Sequence, residues 1–155
     1  MDGHAPEAAL AGLADWSPWL PLAAALPAAP RLPGVYLARE RADGPLVYAG
    51  MAGERRGQGL RGRLTVYARG KAAVSGLGEA AMDRALADPE WVADRLAELR
   101  TGRARRTSDW ARAALDRADL HVCWATTGNR DEAEALERAA LGALAGHELW
   151  NRLRR

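Results

Sequence analysis

The fold is decided by residues 34–67, which read GVYLARERADGPLVYAGMAGERRGQGLRGRLTVY. Two short runs rich in β-branched and aromatic residues, at 34–40 and 46–50, flank a turn-forming Ala-Asp-Gly-Pro sequence. This arrangement predicts an antiparallel β-hairpin. A five-residue loop would place Tyr36 and Tyr48 on the same face of the hairpin, whereas a four-residue loop would place them on opposite faces.

A helix is predicted next, over residues 57–69, because Leu60, Leu64 and Tyr67 lie on one side at helical spacing. Arg63 precedes Tyr67 by four positions, so the two side chains are neighbours on the helix surface. Tyr67 is interpreted either as a group that supports Arg63 or as a packing residue. The stretch therefore combines two tyrosine-bearing strands with an arginine-bearing helix.

Positive charge is concentrated in and around this helix. Residues 53–71 contain six basic side chains against the single acid Glu54, while residues 1–30 contain no lysine or arginine. Such a local positive field suits a polyanion, because arginine binds phosphate oxygens through two parallel hydrogen bonds. Of the 22 basic residues only Lys71 is a lysine, a bias that the codon usage of a GC-rich genome would also produce.

A second basic segment lies at residues 100–106, between two predicted helices. A charge run of this kind is interpreted either as a solvated connector or as part of a nucleic-acid-binding surface. The surrounding region, from about residue 75 to 118, reads as a helical insertion in which Asp88 caps a helix that begins with Pro89.

The chain of 155 residues fits a single domain. We expect residues 1–30 to form a Pro/Trp/Ala-rich extension, with a short helix and an extended strap whose tryptophans cover the core, and residues 31–155 to form the domain. The apolar run at 20–29 is interrupted by Pro21 and Pro27. These prolines argue against a signal peptide or a membrane span.

The cysteine content bears on the cellular compartment. Cys123 is the only cysteine, so it cannot form an internal disulfide, and no Cys/His cluster has the spacing of a zinc site. These features predict a protein of the reducing cytoplasm, with no membrane partner.

Residues 120–127 read as a third strand, and a final helix is predicted from Asp131 to about Ala145. Glu137 lies in the middle of the apolar face of that helix, four positions before Leu141. A carboxylate in such a place is costly unless it is paired, hydrogen-bonded or bound to a cation. An ion pair with an arginine is one interpretation of Glu137, and a metal ligand is the other.

Four short motifs occur in a set order: Gly34-Val35-Tyr36, Tyr48-Ala49-Gly50, Leu60-Arg61-Gly62-Arg63-Leu64, and Glu132-Ala133 with Leu136-Glu137. In this order the chain resembles the GIY-YIG nuclease superfamily, which includes the N-terminal nuclease domain of the bacterial excision-repair endonuclease and GIY-YIG restriction enzymes. The resemblance covers about residues 31–151. It implies an α/β fold of the α+β sandwich type, with a small three-stranded antiparallel sheet flanked by helices.

The resemblance implies a DNA endonuclease that hydrolyses phosphodiester bonds with one divalent cation, Mg²⁺ or Mn²⁺, with RNA as an alternative substrate. Glu137 would be the metal ligand, Arg63 would stabilise the charge on the phosphate, and Asn151 would be the C-terminal polar residue of the site. Tyr36 and Tyr48 would orient or activate the nucleophile. They would do so either as phenolates, which need nearby cations, or by bridging to metal-bound water.

Substrate contacts are expected from the basic residues around this site. Met51 stands where the repair-enzyme branch often has lysine, so a lysine-assisted mechanism is not expected. No separate recognition domain is predicted, so sequence specificity is expected to come from the basic loops, a homodimer or a partner protein. The residues expected to bind substrate are Arg55, Arg56, Arg61, Tyr67, Arg69, Lys71, Arg103, Arg105 and Arg106.

Two other function classes remain open. A nucleic-acid-binding module on the same fold would retain affinity for nucleic acid without cleavage. A helical interaction protein that uses the Trp/Pro-rich strap would leave the placement of Glu137 unexplained.

Overall fold

An antiparallel sheet forms the centre of the protein, and its strands are β1 (Leu20–Pro21), β2 (Gly34–Glu40), β3 (Leu46–Ala52) and β4 (Leu120–Thr126). The strand order is β1-β4-β2-β3, so β3 is an edge strand. This computed structural model describes residues 5–74, 76–103 and 105–152. Residues 1–4 of the predicted extension and residues 153–155 of the predicted domain lie outside the described residues. The same holds for residue 75 of the predicted insertion and residue 104 of the basic segment.

Helices cover the sheet. A short 3₁₀ turn at Arg55–Gly57 follows the hairpin. The α-helices of the described residues are α1 (Ala5–Ala11), α2 (Leu22–Ala28), α3 (Gly59–Ala68), α4 (Gly76–Leu86), α5 (Pro89–Arg100), α6 (Thr107–Ala118) and α7 (Arg130–Ala143). The predicted mixed α/β class is confirmed.

The predicted three-stranded sheet is wrong, because β1 adds a fourth strand. Leu20 pairs with Val122 of β4, and Pro21 pairs with His121. A two-residue strand that includes a proline has no alternating pattern, so the sequence carries no strand signal there. The strap predicted as extended also contains α2, which follows Pro21 directly in a run of leucine and alanine. Among the described residues, no helix is both long and apolar enough to cross a membrane.

The hairpin of β2 and β3 places Tyr36 and Tyr48 on the same face, although Leu46 pairs with Arg39 next to the turn, a register that by itself would give opposite faces. Tyr36 pairs with Gly50, and Tyr48 pairs with Ala38. A β-bulge between Ala38 and Arg39 absorbs one residue of β3 close to the turn. The bulge shifts the register by one residue, and this shift is what brings Tyr36 and Tyr48 to a common face.

The two faces of the sheet contact different helices. Tyr36 and Tyr48 face a core built with α2, α3, α4 and α6. Val35, Leu37 and Ala49 face a second core built with α1 and α7. Because successive residues of a strand point to opposite faces, the pleat separates the two tyrosines from α7.

The predicted helical insertion corresponds to α4, α5 and α6, which lie between α3 and β4 in the chain. Asp88 caps α5 as predicted, since its carboxylate accepts hydrogen bonds from the backbone N–H groups of Glu90 (3.1 Å) and Trp91 (3.3 Å). Trp91 packs edge-on against Trp110 of α6, with ring centroids 6.0 Å apart. The insertion therefore has a small apolar core of its own.

Candidate active site

Three tyrosines meet on one face of the sheet. Tyr36 comes from β2, Tyr48 from the edge strand β3 and Tyr67 from α3. The hydroxyl oxygens of Tyr36 and Tyr67 lie 2.7 Å apart. The Tyr36 ring stacks on Tyr48 and meets Tyr67 edge-on, with centroids 6.0 Å apart in both pairs. These are the chain's only tyrosines, and we call them the tyrosine cluster.

Gly50 makes room for this cluster. It is the cross-strand partner of Tyr36, and a β-carbon at Gly50 would lie 2.5 Å from the Tyr36 hydroxyl oxygen and 2.8 Å from Cε1 of Tyr48. Both distances are too short for a real side chain, so glycine allows the Tyr36 ring to lie across β3. The glycine of the Tyr48-Ala49-Gly50 motif therefore has a packing role in addition to any chemical one.

Arg63 adds a positive charge to the tyrosine cluster. Its guanidinium carbon lies 4.7 Å from the centre of the Tyr67 ring, which is a cation–π geometry. Burial acts to lower the pKa of Arg63, but the interactions with Tyr36 and Tyr67 outweigh burial and hold the pKa above its ordinary value. The guanidinium therefore stays charged in a half-buried position, where it attracts an anion more strongly than at the surface. The predicted neighbourhood of Arg63 and Tyr67 is confirmed.

The first turn of α4 closes the cluster. The backbone N–H of Leu77 donates a hydrogen bond to the Tyr67 hydroxyl (3.3 Å). A β-carbon at Gly76 would lie 2.6 Å from the Tyr67 hydroxyl oxygen, 2.9 Å from Nη2 of Arg63 and 3.1 Å from the Tyr48 hydroxyl oxygen. Three polar side-chain atoms thus converge at Gly76, which has a φ of +55°.

Tyr36 and Tyr48 are held in their neutral form. Burial, followed by the proximity of Tyr67 and Tyr48, raises the pKa of Tyr36 well above its ordinary value. Burial is also the main cause of the raised pKa of Tyr48. Arg63 acts in the opposite direction on both pKa values but does not offset burial. The phenolate form is therefore disfavoured, and the hydroxyls are suited to donating and accepting hydrogen bonds.

Asn151 lies at the edge of the sheet beside β3. Its side-chain oxygen accepts a hydrogen bond from the Ala49 N–H (3.1 Å), and its side-chain nitrogen donates to the Ala49 carbonyl (2.6 Å). The N–H of Trp150 donates to the Val47 carbonyl (2.6 Å). The side-chain amide of Asn151 thus forms hydrogen bonds with both backbone polar groups of Ala49, which lies between Tyr48 and Gly50 on the edge strand.

Glu137 lies on α7, the helix that covers the opposite face of the sheet from the tyrosine cluster. Ala140 of the same helix packs with Val35 and Ala49 in the second core. Glu137 itself is half-buried. The structure therefore brings the tyrosines and Arg63 together and places Glu137 on the other side of the sheet. Among the described residues, no three or more His, Cys, Asp and Glu side chains form a group that could hold a metal ion.

A basic groove lies on the outer side of α3. Arg61 is partly used by the fold, since its guanidinium donates to the carbonyl oxygens of Ala29 (2.7 Å) and Pro27 (3.0 Å). We call this surface, of about 650 Å³, the α3 groove. Five residues expected to bind substrate line it: Arg55, Arg56, Arg61, Arg69 and Lys71.

The basic loop between α5 and α6 is not part of the α3 groove. Arg103 and Arg105 line a different concave surface, of about 530 Å³. Arg105 forms an ion pair with Glu98 (2.9 Å), and the backbone N–H of Arg106 donates to the Asp109 carboxylate (3.0 Å) at the start of α6. The solvated-connector interpretation of this loop fits these contacts.

Sequence reasoning missed the first turn of α4. Gly76 and Leu77 contact the tyrosine cluster from the inserted region, far from the motifs that define the site. The sequence Gly76-Leu77-Gly78 does contain a signal, because two glycines at the start of a helix indicate close backbone contacts. A β-carbon at Gly78 would lie 2.2 Å from the Ala72 carbonyl oxygen.

A search of protein-family models, of curated proteins and of solved structures gives no match to this chain. The chemistry of the site is therefore inferred from its own residues and their geometry.

Proposed function

We propose that the protein is a metal-dependent endonuclease of the GIY-YIG type, which hydrolyses phosphodiester bonds in DNA in the cytoplasm. The observation that carries the proposal is the convergence of Nη2 of Arg63 with the hydroxyls of Tyr48 and Tyr67 beside Gly76. A charged guanidinium beside neutral hydroxyls suits a phosphate group, because both kinds of group donate hydrogen bonds to phosphate oxygens. The order of the sequence motifs supports the same reaction class.

Arg63 stabilises the charge on the non-bridging oxygens of the scissile phosphate. The cation–π contact with Tyr67 fixes the guanidinium before substrate arrives. Preorganised donors of this kind stabilise the transition state most strongly where water is excluded. Removing one typically lowers the catalytic rate by about 10²–10³-fold. We therefore expect Arg63 to be the catalytic residue whose loss reduces the rate most.

The hydroxyls of Tyr36 and Tyr48 orient the attacking water and the phosphate as neutral groups. Their raised pKa values argue against a phenolate as general base. Tyr67 holds the Tyr36 hydroxyl at 2.7 Å and accepts the Leu77 N–H, so its role is to position Tyr36. Tyr48 is the most exposed residue of the three, at 8%.

Glu137 would hold the divalent cation. A carboxylate oxygen is the ligand that Mg²⁺ and Mn²⁺ prefer, and a site with one protein carboxylate completes its coordination with water and phosphate oxygens. The donor chemistry therefore fits, but the position does not bring Glu137 to the cluster, because α7 covers the opposite face of the sheet. When bound, the ion supplies Lewis-acid stabilisation of the phosphate.

The cluster is closed in the arrangement described here. Tyr36 and Tyr67 are each only 1% exposed, and Leu77 is fully buried against them. The hydroxyls of Tyr36 and Tyr67 are therefore covered by the first turn of α4, whereas Arg63 is only half-buried. A non-catalytic nucleic-acid-binding module is the second candidate function, favoured by this closure.

Cleavage of supercoiled plasmid DNA in Mg²⁺ or Mn²⁺ tests the proposal. We expect nicking by the parent protein, loss of nicking with a chelator, and strong loss in Glu137→Gln. Glu134→Gln is the matched control, because Glu134 is on the same helix and pairs with Arg130 at the surface. Equal nicking by the parent and Glu137→Gln would contradict the metal-ligand assignment. DNA binding without nicking in either metal would favour the binding module.

A further inference from the structure

The α3 groove and the tyrosine cluster use different sides of one helix. Leu64 and Tyr67 of α3 are buried on the sheet side, whereas Arg61, Thr65 and Arg69 line the groove on the outer side. The groove is therefore a separate surface, and a ligand reaches it without any movement of α4.

The groove concentrates positive charge, and its described lining contains no acidic side chain. Among the described residues that line it, the charged ones are all basic. The ion pairs found in the described part of the chain are made by other arginines, such as Arg39, Arg105 and Arg117. Like charges held together repel one another, so this surface favours the binding of an anion. The exposed cations of the groove are Arg55, Arg56, Arg69 and Lys71.

Two of these cations lie in a strained turn. Arg55 and Arg56 have φ values of +46° and +54°, in the left-handed region that side chains other than glycine avoid. Glu54 anchors the turn, because its carboxylate accepts a hydrogen bond from the Arg130 N–H (2.9 Å) at the start of α7 and its carbonyl accepts one from the Gly57 N–H (2.9 Å). Strain of this kind persists where the surrounding structure imposes it, and it is common at ligand-binding segments.

The groove offers cations and short polar side chains but no aromatic ring among its described lining residues. The tyrosines are buried in their cluster, and Trp150 lies under Arg84, 4.3 Å from its guanidinium carbon. Proteins that hold single strands usually stack the bases on aromatic side chains. A groove that lacks such rings instead suits the regular phosphate backbone of a duplex.

We infer that the α3 groove binds the phosphate backbone of duplex DNA, independently of base sequence and outside the tyrosine cluster. This inference rests on the proposed function for the class of substrate. A concave surface of about 650 Å³ fits a rod-shaped polyanion better than a planar membrane. Arg55, Arg56, Arg69 and Lys71 are the four phosphate contacts, and Arg61 serves mainly to hold α2 against α3.

Fluorescence anisotropy of a labelled duplex, measured with a chelator over a range of salt concentrations, tests this inference. We expect the logarithm of the association constant to fall linearly with the logarithm of salt concentration, by about 0.9 for each phosphate contacted. Arg55→Gln, Arg56→Gln, Arg69→Gln and Lys71→Gln should each reduce that slope by about 0.9 and weaken binding. Arg138→Gln, an equal loss of charge on the exposed side of α7, should leave the slope unchanged.

A second pair of variants separates binding from folding. Arg55→Gly and Arg56→Gly remove the charge and relieve the left-handed strain. We expect both variants to melt at the parent temperature or above it while losing duplex affinity as the glutamine variants do. Parent affinity in these folded variants would contradict the inference.

Three further outcomes would overturn it. These are an unchanged salt slope in the four glutamine variants, tighter binding of a single strand than of the duplex, and preferential binding to anionic phospholipid vesicles. Because the chelator prevents cleavage, the result is independent of catalysis. A parent protein that binds duplex DNA but never cleaves it contradicts only the nuclease proposal. A parent protein that cleaves DNA while the groove variants bind normally contradicts only the groove.

Discussion

The hydroxyl oxygen of Tyr36, on the central strand β2, lies 2.7 Å from the hydroxyl oxygen of Tyr67 on α3. This contact joins the sheet to the helix that carries Arg63, and both rings are almost fully buried. A buried hydroxyl that loses its partner pays the full desolvation penalty. The pair therefore has a structural role that is measurable apart from any catalysis.

We expect Tyr36→Phe and Tyr67→Phe each to lower the free energy of unfolding by about 1–3 kcal/mol, because each leaves the other hydroxyl without that partner. The double variant should lose less than the sum of the two, since both hydroxyls are then absent. Urea denaturation of the four proteins measures this coupling. Strictly additive losses would show that the hydroxyls do not interact.

The raised pKa values predict a specific pH dependence. The pKa of Tyr36 and that of Tyr48 are higher in the folded protein than the ordinary value of about 10. Folding is therefore favoured by keeping these two phenols protonated, and this contribution to the free energy of unfolding is fully present below about pH 10. It is lost as the pH rises towards the folded pKa values, by up to about 1.4 kcal/mol per pH unit for each tyrosine.

Spectrophotometric titration checks this dependence. Because the chain's three tyrosines all lie in the cluster, the rise in absorbance on tyrosinate formation comes from the cluster, over the absorbance of the six tryptophans. We expect ionisation of Tyr36 and Tyr48 to be delayed until the protein unfolds at alkaline pH. Ionisation of Tyr36 and Tyr48 near pH 10 in the folded protein would contradict the raised pKa values.

Gly76 is predicted to be a sensitive position. Alanine there would combine a φ of +55° with a β-carbon 2.6 Å from the Tyr67 hydroxyl oxygen, and the left-handed backbone alone costs about 1–2 kcal/mol. Gly142→Ala is the control, because a β-carbon there meets nothing within 4 Å and alanine favours the helix by up to about 1 kcal/mol. We expect the melting temperature to fall for the first variant and to be equal or higher for the second.

Asn151 is predicted to act on the edge strand. Asn151→Asp keeps an acceptor for the Ala49 N–H but loses the donor to the Ala49 carbonyl, and Asn151→Ala loses both hydrogen bonds. We expect both variants to lower the free energy of unfolding, by about 1–3 kcal/mol in Asn151→Ala. Hydrogen exchange of the Ala49 amide measures the local effect. It should accelerate most in Asn151→Ala, and an unchanged rate would exclude this role.

Local rules predicted much of the site. The common face of Tyr36 and Tyr48 was predicted, but it depends on the β-bulge between Ala38 and Arg39, which changes the parity of the pairing set next to the turn. The contact between Arg63 and Tyr67 follows from helical spacing. The helical insertion was also predictable, since Asp88 and Pro89 mark the start of α5 in the sequence itself.

Long-range contacts were not predictable in the same way. The contact of Gly76 and Leu77 with the tyrosines depends on how the inserted helices pack, which no local pattern records. The apolar face of α7 showed that Glu137 lies among core residues but not which face of the sheet that helix covers. Burial also changed the chemistry expected of the tyrosines, because it raises the pKa of Tyr36 and of Tyr48 more than Arg63 lowers them.

The plasmid cleavage rate of Arg63 variants, measured at saturating Mg²⁺, tests the central claim most directly. Arg63→Gln removes the charge, Arg63→Lys keeps the charge without the guanidinium fork, and Arg41→Gln is the control because Arg41 lies in the exposed hairpin turn. We predict a loss of about 10²–10³-fold in Arg63→Gln, a smaller loss in Arg63→Lys and the parent rate in Arg41→Gln. A folded Arg63→Gln protein that cleaves at the parent rate would contradict the assignment of the tyrosine cluster and Arg63 as the active site.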